Sequence, residues 1–290
     1  MKNAKYARFV GISKENGVQT LSFKLNYKDS LAYLTIPSFE ATGLVKHGFS
    51  TRIGGVSKPP YQTLNLGLKK DDEKNSVLEN YRIFCEALDM NPENLVASDQ
   101  VHGDEIYVAC TQDRGKGILK NSDIVGMDAM ITKDIEVALV TYYADCVPIF
   151  LLDTTTPAVG LAHAGWRGTT SKIGQKTLVR MMEEFGTLPE NILVGIGPCI
   201  NSCCYEVDAP VVNSIKNAFP YWSELINNKG DGKWMLDLVL TNKRQLEEVG
   251  INPSQITESG FCTSCNNDLF FSYRADKGKT GSLAAIIQLI

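Results

Sequence analysis

An α/β or α+β layered sandwich with mixed sheets is the fold class that this sequence predicts, and three observations predict it. Short β-branched or apolar runs alternate with helical periodicities along the chain. Hydrophobic residues at 43% and charged residues at 21% suit a globular protein with a sizeable core. No internal repeat, low-complexity tract or linker divides the 290 residues, so one domain over residues 1–290 is expected.

Taken in order, residues 6–12 and 32–36 read as strands, with a polar turn at Glu15-Asn16-Gly17 closing the first. Val77, Tyr81, Phe84 and Leu88 recur at i, i+4, i+7 and i+11, marking an amphipathic helix over residues 75–88 that the Asn91-Pro92 turn ends. Residues 106–110 and 137–141 have strand character, 149–152 continues the latter as a buried strand, and 159–162 is another. A helix is expected over 169–185, with Gly186 just past its end. A strand at 192–196, helices at 209–219 and 236–249, the second closed by Gly250, and an apolar strand at 283–289 complete the chain.

The net charge of −4 offers no electrostatic footprint for nucleic acid. Lys69-Lys70 runs straight into Asp71-Asp72-Glu73 and reads as a solvated turn. The longest apolar run, residues 137–152, is interrupted by Asp145 and Pro148, so no membrane partner is expected. Lys2, Lys5, Arg8 and Lys14 break up any signal-peptide pattern at the start, and a cytoplasmic location is expected. In that reducing compartment most of the eight cysteines should be free thiols.

Only three histidines are present, so histidine-dependent chemistry must use His47, His102 or His163. Cys146 and His163 flank a turn at residues 153–157, and pairing of the strands on either side would bring them together. His102 sits in a polar loop, free to approach the same strand ends. Two imidazoles and a thiolate form a three-ligand set for zinc with one position open, as a catalytic rather than a structural site requires. A cysteine in apolar company is more often a small buried hydrophobe. Asp145, a charge inside an apolar run, and the glycine-rich junctions beside both histidines favour the site.

A second constellation runs from His47 and Ser50 through Arg52 to Gly54-Gly55, with Asn65 beyond. Adjacent glycines can present backbone amides to an anion, and the Arg52 guanidinium can grip a phosphate in two places. A plain Gly-Gly hairpin turn with an exposed arginine fits equally well. Arg167 precedes an expected helix, whose first amides favour anions. Cys262-x-x-Cys265 lacks a second pair at zinc-finger distance, and the adjacent Cys203 and Cys204 are an unusual pair of ligands for one ion.

In order, the chain carries His-Gly-Phe-Ser-Thr-Arg with Gly-Gly-Val-Ser, Leu-Asn-Leu-Gly, Gln-Val-His-Gly, Ala-Asp-Cys-x-Pro-Ile, His-Ala-Gly-Trp-Arg-Gly, Gly-Pro-x-Ile with Cys-Tyr-Glu-Val, and Cys-Thr with Phe-Ser-Tyr-Arg. From His47 to Arg274 this resembles the family long labelled polyphenol oxidase (laccase) and now understood as purine nucleoside phosphorylases with adenosine deaminase activity. The resemblance implies a single-domain αββα-type sandwich and a zinc ion held by His102, Cys146 and His163. It implies purine nucleosides as substrates, namely adenosine, inosine and methylthioadenosine, cleaved with phosphate to free base and ribose 1-phosphate. On that reading Asp145 joins the catalytic set, while His47, Ser50, Arg52, Asn65 and Arg167 serve substrate and phosphate. One departure is visible: the usual Gly-Arg near the C-terminus is replaced by Gly278-Lys279 and Gly281-Ser282.

Two rivals remain at this level. Cys146 with His163 as base has the makings of a thiol hydrolase or deamidase. A multicopper oxidase needs far more than three histidines and fails on counting, whereas a single His₂Cys copper centre survives, with Met127 or Met130 as axial ligand.

Overall fold

Alternation with period two runs through the longest apolar strands, and it divides their side chains between two cores. In Val147–Asp153, Phe150 and Leu152 point one way while Ile149 and Leu151 point the other. In Ala138–Tyr143, Leu139 faces the first core and Ala138 and Val140 face a third. Strands buried on both faces need cover on both, and a four-layer arrangement supplies it.

The computed structural model describes residues 22–290, together with the pairing of Lys14–Glu15 with Val18–Gln19; the strand expected over residues 6–12 lies outside the described residues. One six-stranded sheet runs Ile256–Glu258, Ile192–Ile196, Val147–Asp153, Ala158–Ala164, Ala129–Thr132, Ile106–Val108. The other runs Lys24–Lys28, Leu31–Thr35, Val45–Ser50, Leu283–Leu289, Ala138–Tyr143, Leu95–Ala97. Phe49, Leu139 and Ile287 of the second sheet meet Phe150, Val159 and Leu161 of the first in the middle layer.

Helix Lys74–Ala87 covers the second sheet, burying Val77, Tyr81 and Phe84 beside Val140 and Ile286. Each such side chain contributes about 1.5–3 kcal/mol. Helices Ile173–Phe185, Ala209–Ala218 and Leu238–Glu248 cover the first sheet. The layers are therefore helix, sheet, sheet, helix, as expected. No helix among the described residues is long and apolar enough to cross a membrane.

Two departures from the sequence-based expectation position the site. The run over residues 137–152 does not stay in one sheet: Ala138–Tyr143 belongs to one and Val147–Asp153 to the other, with Ala144-Asp145-Cys146 as the corner. The helix expected over 169–185 is two pieces, Trp166–Thr170 and Ile173–Phe185, because Lys172 takes a left-handed conformation (φ 63°) between them.

Candidate metal centre and its cavity

Strand register brings the cysteine and one histidine together. Val147–Asp153 and Ala158–Ala164 pair antiparallel with Pro148 opposite His163, which sets Cys146 beside that imidazole. His102 arrives on the loop before Ile106–Val108, with φ 62°. The ligand atoms of the three residues all lie within 4.8 Å of one another, and the two imidazole rings are 4.8 Å apart at 76°.

Asp128, buried at the start of the strand Ala129–Thr132, holds this arrangement from behind. Its Oδ1 lies 2.7 Å from His163 Nδ1 and accepts the His102 amide (3.0 Å). Its Oδ2 accepts the amides of Val101 (3.0 Å) and Gly103 (2.7 Å). Burial works against its charge, but the His163 and backbone hydrogen bonds outweigh it and hold the carboxyl below its ordinary range. An ionised acceptor fixes the proton on His163 Nδ1 and leaves Nε2 as the donor atom.

Cys146 is driven in the same direction. Burial raises its pKa, yet His163 and the hydrogen bond from His102 prevail and bring it to about 6. Burial lowers that of His163, while the Cys146 charge and Asp128 raise it to about 9. Both shifts favour a thiolate beside the imidazole, the form of cysteine that binds a metal. Two imidazoles and a thiolate, one imidazole oriented by a carboxylate, fit zinc or copper with a position left open.

The corner itself is clamped. Asp145 has φ 93°, and both carboxylate oxygens are engaged, Oδ1 by Thr263 Oγ1 and Oδ2 by the Arg274 amide, each at 2.7 Å. Its carbonyl accepts the Ile200 amide at 2.9 Å. Asp145 thus ties the cysteine to two distant loops.

All three candidate ligands and Asp145 line a cavity of about 760 Å³. Tyr142, Tyr143, Trp166, Tyr205 and Tyr273 give it aromatic walls. Lys70 and Arg167 add positive charge, and neither makes an ion pair among the described residues. The Arg167 guanidinium lies 4.4 Å over the Trp166 ring. Lys69, also on the wall, is paired with Asp99. Ser282 stands on the wall as well, within the Gly281-Ser282 pair where the motif departs.

Four residues expected to serve substrate and phosphate are elsewhere. Arg52 donates to the carbonyls of Asn267 (2.8 Å) and Gln62 (3.2 Å) and lies 4.6 Å over Phe271. Ser50 Oγ accepts the Ala284 amide in the sheet. Asn65 Oδ1 accepts the amides of Gly67 (3.0 Å) and Ser282 (2.9 Å), so it shapes the wall from outside. The Gly54 and Gly55 amides both donate to Thr63 Oγ1 (3.0 and 3.1 Å), which leaves neither for an anion.

His47 is buried, and its Nε2 accepts the Ile36 amide at 2.7 Å. Burial lowers its pKa from 6.5 to about 4. The unfolded chain takes up this proton below about pH 6.5 and the folded one does not, so His47 stabilises fully above that pH and progressively less as pH falls toward 4. About 3 kcal/mol is at stake. His47→Gln should flatten the fall in urea midpoint between pH 7 and about 4; parallel curves for the two proteins would refute this.

Sequence reasoning did not single out Asp128, Tyr142 or Tyr205, and it read Lys69-Lys70 as a solvated turn, whereas both lysines stand on the cavity wall. The signal available for Asp128 was a carboxylate directly before the apolar run Ala129-Met130-Ile131. Tyr205 and Arg274 lay inside quoted motifs but carried no assigned role.

The family model described as multi-copper polyphenol oxidoreductase laccase matches residues 46–290. A protein of Geobacillus stearothermophilus named "Purine nucleoside phosphorylase YlmD" is 40% identical over 242 residues, 83% of this chain and 88% of that one. The crystal structure of YlmD from the same organism superposes with a TM-score of 0.86 at 36% identity, covering 91% of this chain and 98% of that chain. A Bacillus licheniformis hypothetical protein, YfiH, gives a TM-score of 0.87 at 34% identity, covering 92% and 99%.

Proposed function

The chain belongs to the multi-copper polyphenol oxidoreductase laccase family, and from that premise we propose that it is a purine nucleoside phosphorylase with adenosine deaminase activity, its zinc site formed by His102, Cys146 and His163. Adenosine, inosine and methylthioadenosine are its substrates. The observation that carries this reading is the cavity itself: the three candidate ligands share it with aromatic walls and with Lys70, Arg167 and Arg274, which make no ion pair with a carboxylate among the described residues. The name of the G. stearothermophilus relative supports the phosphorolysis.

Phosphorolysis forms a bond from a phosphate oxygen to ribose C1′ as the bond to N9 breaks, with the electron pair leaving on the purine. Lys70 and Arg167 bind the phosphate dianion, and the aromatic walls hold the purine by stacking. Deamination replaces the exocyclic amine of adenosine with oxygen from water and releases ammonia. A zinc ion bound by the three residues supplies Lewis acidity, the property that activates water near neutral pH. Asp145, with both oxygens already engaged, acts as a positioning residue for Cys146. Copper fits the same donors but is not needed for either reaction.

The order Cys146, His163, Asp128 also resembles a thiol-hydrolase triad. His102, within reach of the same centre, has no task in such a triad, which favours the metal reading.

A nucleoside panel assayed with and without phosphate tests the proposal. Zinc-loaded protein should release adenine and ribose 1-phosphate from adenosine only when phosphate is present, and inosine with ammonia in its absence; chelation should abolish deamination. Absence of phosphate-dependent base release from every purine nucleoside would sink it, and hydrolysis that survives chelation would point to the thiol triad. Within this frame Arg167→Ala should raise the phosphate KM roughly tenfold, as losing about 1.4 kcal/mol of charge-assisted binding requires. Arg52→Ala should leave that KM nearly unchanged while lowering stability by about 1.5–3 kcal/mol, the cost of its hydrogen bonds to backbone.

A further inference from the structure

Behind the cavity lies a second cluster that the proposed reaction does not use. The Sγ atoms of Cys203, Cys204, Cys262 and Cys265 all lie within 4.8 Å of one another. Cys203 and Cys265 are 3.5 Å apart, Cys204 and Cys265 3.3 Å, and Cys203 and Cys204 3.8 Å. The fold closes this group from loops some sixty residues apart, through a bridge between Cys199 and Cys262. A vicinal pair and a C-x-x-C, each weak as a sequence signal, become one four-sulfur site.

We propose that these four cysteines bind a single zinc ion as a tetrathiolate site that fastens the two loops together. A zinc–sulfur distance of about 2.3 Å places tetrahedral ligands about 3.8 Å apart on each edge, close to the separations found. A disulfide needs sulfurs at about 2.05 Å, much closer than the separations found. Four sulfurs so close together leave no room between them for the bridging sulfides of an iron–sulfur cluster. The Asn201 amide points at Cys262 Sγ (3.5 Å), the kind of N–H contact that supports a coordinated thiolate. On binding, the four thiols release their protons to solvent and become thiolates.

The consequence for the neighbouring cavity is direct. One loop carries Ile200 and Tyr205, the other Tyr273 and Arg274, and all four line the cavity. Thr263, next to Cys262, hydrogen-bonds Asp145 at the corner that presents Cys146. The Arg274 guanidinium crosses from one loop to the other, donating to the carbonyls of Cys204 (3.2 Å) and Glu206 (3.0 Å). The ion therefore sets the wall of the cavity without touching substrate.

Metal analysis and thiol chemistry together test this. In a Cys146→Ser background, cobalt(II)-loaded protein should keep a strong thiolate charge-transfer absorption, and adding Cys203→Ser with Cys265→Ser should abolish it. Absence of the absorption in the first protein, or its survival in the second, overturns the proposal. Wild-type protein provides a readout that does not depend on variants folding. Cys203 and Cys265 are exposed, yet in zinc-loaded protein they should resist alkylation at least tenfold more than after chelation, as read by peptide mass spectrometry. Equal reactivity before and after chelation, or protection lifted only by a reductant, refutes a zinc site.

Discussion

Replacing Asp128 with alanine should weaken metal binding at the proposed centre and destabilise the fold at once. The side chain is fully buried, and its two oxygens meet four groups: His163 Nδ1 and the amides of Val101, His102 and Gly103. Each backbone donor left without a partner costs about 1–3 kcal/mol, so a loss of several kcal/mol is expected. Metal affinity should fall about 10–100-fold, because His163 loses the contact that selects its tautomer and His102 loses the anchor of its loop. Asp128→Asn separates the two effects: it keeps the shape and one acceptor oxygen, so stability should recover more than affinity. Thermal melts with chelator-competition titrations decide it, and unchanged metal affinity in both variants would refute this role.

Gly165→Ala should give the opposite signature, a folded protein with a spoiled centre. The backbone there (φ −68°, ψ 172°) suits any residue, so no conformational strain is introduced. A Cβ at this position would stand 3.0 Å from Cys146 Sγ and 3.0 Å from His102 Cδ2. These neighbours belong to different segments, and moving either pulls a ligand from its place. A misplacement of even part of an ångström at a reacting centre costs up to about 100-fold in rate. Activity should therefore fall about 100-fold while the melting temperature changes little. A fully active Gly165→Ala protein would show that the two ligands are free to move.

How much of this was legible in the sequence depends on how local each cause is. Cys146 and His163 could be paired on paper because one short turn separates their strands, and the register places them side by side. The helix at Lys74–Ala87 and the strands Ile192–Ile196 and Leu283–Leu289 declare themselves by periodicity and apolar runs. The placement of His47, Ser50 and Arg52 was not legible, because the polar-looking strand Val45–Ser50 and the turn after it are held inside the fold, the strand beside Leu283–Leu289. Their partners are remote: Ser50 meets Ala284, and Arg52 meets Asn267. No spacing rule reaches that far. Asp145 did stand out as a charge in an apolar run, but only the tertiary structure shows that the run changes sheets there.

That change of sheet bears on when the centre comes into being during folding. Cys146 sits at a corner whose preceding strand pairs with Leu283–Leu289, far downstream in the chain. Cys146 and His163 meet through the local pairing of Val147–Asp153 with Ala158–Ala164, whereas the cavity wall contributed by Tyr142 and Tyr143 waits until Leu283–Leu289 has paired with their strand. A metal that binds only the finished protein pulls the folding equilibrium toward it, by about 4 kcal/mol at a thousandfold excess over its dissociation constant. The corner therefore makes the finished cavity wall, rather than the pairing of the candidate ligands, the record that both sheets have docked.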